Sequence, residues 1–285
     1  MDDIFHTDQV NKTIELVKNR KKTVAYIVFL DILFLLVYGF VRGAPGASGF
    51  LGKIYDFIRI FLTLTSQQAK ELTLELARKV SIITLINQNP LIGKYFYSLL
   101  ILFILFGIAI YFIYSFMQGS SWYLSFKLMH PLSYKKFIKQ FFLVNIPWFL
   151  LYTIFLIVEF VNSYRFTILE RAGEANPQGL KIFSIILIII VFYFAIISYS
   201  LIGHYRTKTI FKKTFIIGIK NIKSLIGPFI LLGIIFTLIN YVIIILGNIN
   251  FLLMLILGIL LLFPTITISR IYLKGVIVKF IKHES

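Results

Sequence analysis

The stretch LIGPFILLGIIFTLINYVIIILG (residues 225–247), followed by NFLLMLILGILLLFPTITISRIY (residues 250–272), decides the fold class of this chain. A helix needs about 20 mostly apolar residues to cross about 30 Å of hydrocarbon, and each run has that length. Both runs are too long for single strands, and open sheet edges cannot face lipid. We therefore interpret them as two consecutive transmembrane helices.

Four earlier segments have the same character, at 23–41, 94–117, 141–162 and 181–203. Across the 285 residues, 59% are hydrophobic and 14% are charged, whereas soluble domains are about 45–50% apolar and about 25% charged. The sequence therefore predicts an all-α fold. We expect a polytopic integral membrane helical bundle of about six transmembrane helices, with interfacial amphipathic helices.

The distribution of basic residues predicts the orientation in the membrane. If the N-terminus is cytoplasmic, the inner segments hold 19 of the 29 lysine and arginine residues. Membrane proteins concentrate Lys and Arg in cytoplasmic segments. We therefore expect a multi-pass protein of the cell membrane with both termini in the cytoplasm, and this bias also explains the net charge of +17 without nucleic-acid binding.

The pattern predicts a cytoplasmic tail at 1–22 and one membrane domain at 23–285. The largest segment between spans, at 43–93, has apolar residues at three- and four-residue steps with frequent charges between them. It is predicted to form one or two external amphipathic helices. Packing on lipid and packing on the protein's own bundle are equally compatible with this pattern.

The inner segment 204–224 has the clearest amphipathic pattern. At 100° per residue its apolar residues occupy one arc and its lysines an adjoining arc. Such a helix is expected in the inner headgroup layer, in contact with anionic lipid, although a solvated face without lipid preference fits the same pattern. The candidate lipid contacts are Lys208, Lys212, Lys213, Lys220 and Lys223.

Segments 94–162 and 181–247 have the features of a duplication. In each copy a Tyr-Ser pair near the end of one span (Tyr114-Ser115 and Tyr199-Ser200) is followed by a basic stretch and a proline (Pro147 and Pro228). Both copies begin outside, so the repeats are predicted to be parallel. Helix-interior proline bends a helix, which makes Pro147, Pro228 and Pro264 candidate kinks.

This layout of a span, a basic amphipathic segment and a proline-bearing span, repeated within six spans, resembles the uncharacterised prokaryotic membrane proteins of the YciC-like group. It is also similar to the membrane domain attached to some glycerophosphodiester phosphodiesterases. The resemblance covers about residues 94–280. These 285 residues do not include the soluble phosphodiesterase domain, so the resemblance implies a membrane fold, and the hydrolase activity does not carry over.

No catalytic or cofactor-binding motif is present, and the chain has no cysteine. None of the four histidines (His6, His130, His204 and His283) has another ligand at metal-binding spacing on one helix face. The sequence therefore predicts a protein that is not an enzyme, with no cofactor and no metal site.

Two acids lie within predicted spans. Asp31 is about nine residues past Lys22, or about 13 Å deep at 1.5 Å per residue, which is near the bilayer midplane. An ionised carboxylate there costs at least about 2.5–3.5 kcal/mol unless it is partnered. No Lys or Arg is expected at that depth, so a hydrogen bond from a neighbouring helix or a coupling role is expected rather than an ion pair. Glu159 lies close to the outer end of its span and within reach of the interface.

Two functional hypotheses follow. In the first, the chain is a non-catalytic membrane component that binds lipid or a membrane protein partner through its amphipathic segments. In the second, it is a small transporter or permease subunit in which Asp31 is the coupling acid. The sequence favours the first hypothesis, since transporters usually carry several intramembrane polar groups and broken spans.

Overall fold

The computed structural model describes residues 6–42, 90–129, 132–171 and 178–282. These residues form eight helices and no strand. The helices are α1 (Thr7–Asn19), α2 (Lys21–Arg42), α3 (Pro90–Lys127), α4 (Tyr134–Arg171), α5 (Gln178–Leu201), α6 (Thr207–Lys220), α7 (Ile222–Ile249) and α8 (Phe251–Lys282).

Six of these helices, α2, α3, α4, α5, α7 and α8, are long and apolar enough to cross a membrane. The prediction of an all-α membrane helical bundle is therefore confirmed, and the described residues contain six helices that could span a membrane, as many as the sequence predicts. The segment predicted at 43–93 lies outside the described residues, apart from 90–93 at the start of α3.

Several helices run past their predicted ends. Helix α3 continues to Lys127 and α4 begins at Tyr134, so most of the segment between the predicted spans 94–117 and 141–162 is helical. Helix α8 continues about ten residues beyond 272. Buried aromatic side chains in these extensions (Trp122, Phe126 and Phe137) explain why the chain stays helical, because burial of an apolar face contributes most of a helix's stability.

The helices contribute to two compact units. The first unit contains residues 1–35, 114–148 and 191–285, and the second contains 36–113 and 149–190. The described core cluster lies in the first unit, where aromatic and aliphatic side chains of α3, α4, α5 and α8 pack together. In the second unit, Tyr111 of α3 packs edge-to-face against Phe149 of α4, with ring centroids 5.2 Å apart.

The inner half of α8 is the centre of the first unit. Every residue from Ser269 to Val278 is buried. This stretch includes Arg270 and Lys274, which belong to the 19 basic residues predicted on the inner side. Both are buried in the protein and not exposed at its surface.

The predicted tail contains α1, which packs against α8. Gln9 and Thr13 are buried, and the Gln9 side chain lies directly on the backbone of Gly275, where no Cβ is present. His6 stacks edge-to-face on Phe280, with ring centroids 6.1 Å apart. The region predicted as a tail is therefore a helix docked on the core of the first unit.

Candidate functional site

Asp31 of α2 is buried, with 2% of its surface exposed, and it forms an ion pair with Arg270 of α8. The guanidinium donates through Nη1 to Oδ2 and through Nη2 to Oδ1, at 3.2 Å in both cases. The expectation that no basic residue lies at the depth of Asp31 is wrong. A bidentate pair of this kind compensates a buried carboxylate that would otherwise be very costly.

Two neutral side chains complete the cluster around this pair. Gln118 of α3 donates to Asp31 Oδ1 at 3.2 Å and accepts from Arg270 Nη2 at 3.0 Å. Thr267 donates to Asp31 Oδ2 at 3.3 Å. Three helices that are distant in sequence are thereby joined through one polar cluster, which we call the Asp31 cluster (Asp31, Gln118, Thr267 and Arg270).

A ladder of cation–aromatic contacts lies beside the Asp31 cluster. The Arg270 guanidinium carbon is 5.5 Å from the ring centroid of Trp122, and Lys274 Nζ is 3.2 Å from that of Phe126. The two cations are four residues apart on α8, and the two rings are four residues apart on α3. The second contact therefore lies about one turn away from the first on both helices. Such contacts contribute about 2 kcal/mol or more when they are desolvated.

Lys274 differs from Arg270 in having no acidic partner. The residue is fully buried, and its Nζ has no hydrogen-bond partner among the described residues. The ring of Phe126 is the contact that the structure gives to its ammonium group. Lysine is almost never fully buried without a partner, so this side chain is unusual in the core of any protein.

A second buried polar group joins α3, α4 and α5. Asn145 donates to Ser115 Oγ at 2.8 Å and accepts a hydrogen bond from the Tyr199 hydroxyl. Tyr199 also packs edge-to-face on Trp122, with ring centroids 5.6 Å apart. Ser115 and Tyr199 belong to the Tyr-Ser pairs that indicated a duplication, whereas Asn145 was not identified from the sequence.

The structure has a separate helix, α6, in the segment 204–224, as predicted, and this helix is shorter than the segment. It ends at Lys220, and Ile222, Leu225 and Ile226 belong to α7. One face of α6 is buried within the first unit and consists of Ile210, Thr214, Ile217 and Gly218. The close approach needs a glycine, because a Cβ at Gly218 would lie 2.7 Å from the Phe194 ring, and the Tyr193 hydroxyl donates to the Gly218 carbonyl at 2.7 Å.

The opposite face of α6 combines lysines with large apolar side chains. Phe215 and Ile219 are 46% and 63% exposed. Of the five predicted lipid contacts, Lys208, Lys212, Lys220 and Lys223 are exposed, while Lys213 is partly buried with its Nζ 5.8 Å from the Tyr205 ring centroid. Lys223 lies in the first turn of α7, beside the end of α6.

The other predicted residues have separate places. Pro147, Pro228 and Pro264 lie inside α4, α7 and α8. Glu159 belongs to α4, but its side chain lies outside the described part of the structure, as do His130 and His283. Within the described ranges, no three His, Cys, Asp or Glu side chains are grouped to hold a metal ion.

The sequence and structure were compared with known proteins. No family model, no curated protein and no solved structure matches this chain. The resemblance in layout to the YciC-like group therefore stays a prediction.

Proposed function

We propose that this chain is a non-catalytic protein of the cell membrane that binds anionic lipid headgroups at the inner surface through α6. In this proposal both termini are cytoplasmic. Contact between α1 and the last turns of α8 supports the same side for both ends, since Gln9 lies on Gly275 and His6 on Phe280.

The observation that carries the proposal is that α6 has one buried face and one exposed face. Its buried face holds the helix to the first unit, and its other face presents Lys208, Lys212 and Lys220 beside Phe215 and Ile219. A lysine near an anionic surface contributes about 1 kcal/mol, and apolar side chains add burial in the acyl boundary. A face in contact with water alone would not gain from exposing Phe215 and Ile219, so the composition favours a headgroup layer.

The Asp31 cluster weighs against the alternative of a transporter with Asp31 as its coupling acid. The Asp31 carboxylate accepts hydrogen bonds from Arg270, Gln118 and Thr267. Each of its two oxygens is paired with Arg270 and with one neutral donor, so the carboxylate is engaged in contacts between helices of the protein itself. We therefore assign the cluster a role in holding α2, α3 and α8 together.

Native mass spectrometry of the full chain in mixed phosphatidylglycerol and phosphatidylcholine micelles tests the proposal. The wild type should retain phosphatidylglycerol in preference. Replacing Lys208, Lys212, Lys220 and Lys223 with glutamine should reduce that preference by about tenfold or more, on the basis of about 1 kcal/mol per lysine.

A matched control removes the same number of exposed charges elsewhere, by replacing Lys12, Lys18, Lys21 and Lys22 with glutamine. This variant should keep most of the preference. Equal retention of both lipids by the wild type, or equal losses in the two variants, would contradict a lipid site on α6.

A further inference from the structure

The Lys274 amine is buried without a counter-ion. It is fully buried in the inner half of α8, and its Nζ has no hydrogen-bond acceptor in the described part of the chain. A buried ammonium without a counter-ion costs several kcal/mol, and one cation–π contact offsets about 2 kcal/mol of that cost. The Phe126 ring, 3.2 Å from Nζ, therefore compensates this charge only in part.

The neighbouring Asp31 cluster does not supply the missing charge. Both terminal nitrogens of Arg270 donate to Asp31, and Nη2 also donates to Gln118. Each Asp31 oxygen accepts from Arg270 and from one neutral side chain. Among the described residues of this region, the one carboxylate is already paired with Arg270, so the protonated form of Lys274 has no counter-ion there.

Helix α1 packs on this part of α8, on the side of Gly275. The Gln9 side chain lies on Gly275, the residue that follows Lys274, and Thr13 is buried one turn further along α1. Helix α1 has 13 residues and is exposed over most of its other positions. A short helix held by few buried side chains is among the least stable parts of a fold. Displacement of α1 would therefore open this part of α8 to a ligand.

We propose that Lys274 binds a singly charged phosphate-type oxyanion, and that α1 covers the bound anion. One such anion would stabilise the protonated form of Lys274 and accept hydrogen bonds from Nζ. Either inorganic phosphate or the phosphodiester of a phospholipid provides this chemistry. The site is separate from the exposed lysines of α6.

The test uses the full chain, delipidated in dodecyl maltoside and free of phosphate. Thermal unfolding can be followed by the fluorescence of the two tryptophans, one of which, Trp122, lies beside Arg270. The probes are inorganic phosphate, dihexanoylphosphatidylglycerol and dihexanoylglycerol, the last of which has no phosphate. At about five times its Kd, a binding anion should raise the Tm by about 2–4 °C.

Lys274→Met should abolish the rise, while the matched variant Lys279→Met on the same helix should keep it. A response to inorganic phosphate identifies a free oxyanion as sufficient, and a response to phosphatidylglycerol alone identifies the lipid phosphate. No response to either probe, or the same response in Lys274→Met as in wild type, would overturn the proposal.

A second measurement needs no variant. Hydrogen exchange in the wild type should slow on addition of the binding anion in Thr7–Asn19 and in residues 271–278, and unchanged exchange in both segments would also overturn the proposal. Replacing the four exposed lysines around α6 with glutamine should leave the response intact, so failure of this site and failure of the proposed function are distinguishable.

Discussion

Arg270 donates to both carboxylate oxygens of Asp31, although the two residues are 239 positions apart in sequence. The pair joins α2 to α8, and both side chains are buried, with 6% of the Arg270 side chain and 3% of the Asp31 side chain exposed. Removing either member of the pair should therefore lower the stability of the first unit, and this loss can be measured.

Asp31→Asn and Arg270→Gln should each lower the free energy of unfolding by about 3–5 kcal/mol, because each leaves a buried charge without its partner. The double variant should lose less than the sum of the two. A double-mutant cycle by reversible unfolding in detergent gives the coupling. Glu15→Gln, at an exposed position of α1, is the control and should change stability little. Additive losses would contradict a coupled pair.

Gly218→Ala should weaken the docking of α6, because the added methyl would lie 2.7 Å from the Phe194 ring. Overpacking of this kind costs about 1–3 kcal/mol. Gly233→Ala is the matched control, since no atom lies within 4 Å of a Cβ built there. Hydrogen exchange across Thr207–Lys220 should accelerate in the first variant only. Equal exchange in both variants would show that α6 does not depend on this contact.

Gly275→Ala should displace α1, because its Cβ would occupy the position of the Gln9 amide. Exchange in Thr7–Asn19 should rise towards that of an isolated short helix, which is marginal in water. Adding Gln9→Ala removes the obstructing amide and should restore protection of α1. If the single variant protects α1 as the wild type does, the close contact between these residues is not required.

Reporter fusions test the orientation. Alkaline phosphatase should be inactive and green fluorescent protein fluorescent when either is fused to the N-terminus or the C-terminus, because 19 of 29 basic residues then lie inside. An external signal from one end would require an odd number of spans. An external signal from both ends would reverse the orientation and place α6 at the outer surface.

Much of the fold could be predicted from the sequence because the spans are long apolar runs. From Leu225 to Ser269 the chain has no charged residue, and α7 and α8 cover this stretch. The boundaries were harder to predict, since the helices continue into basic segments. Composition alone assigned those segments to loops, whereas tertiary packing keeps them helical.

The partner of Asp31 was missed for the same reason. The sequence gives the depth of a residue in the membrane only along its own helix. Arg270 lies near the end of a span, where a charged side chain usually reaches the interface, so its position predicts a place at the cytoplasmic end. One signal in the sequence is that Arg270 and Lys274 are four residues apart, as are Trp122 and Phe126, whose rings they contact. Asn145, which joins Ser115 to Tyr199, has no such pattern, because its partners come from two other helices.

The position of α6 at the membrane surface can be measured most directly with single spin labels. The chain has no native cysteine, so Ile219→Cys and Lys220→Cys each give one labelling site. Both positions are exposed, and successive residues of a helix point about 100° apart, so the two labels report on the apolar arc and on the lysine arc. In bilayers containing phosphatidylglycerol, the label at Ile219 should collide mainly with oxygen dissolved in lipid, and the label at Lys220 mainly with an aqueous nickel chelate. If the label at Ile219 is as accessible to the chelate as the one at Lys220, α6 lies in water and the proposed lipid contact is contradicted.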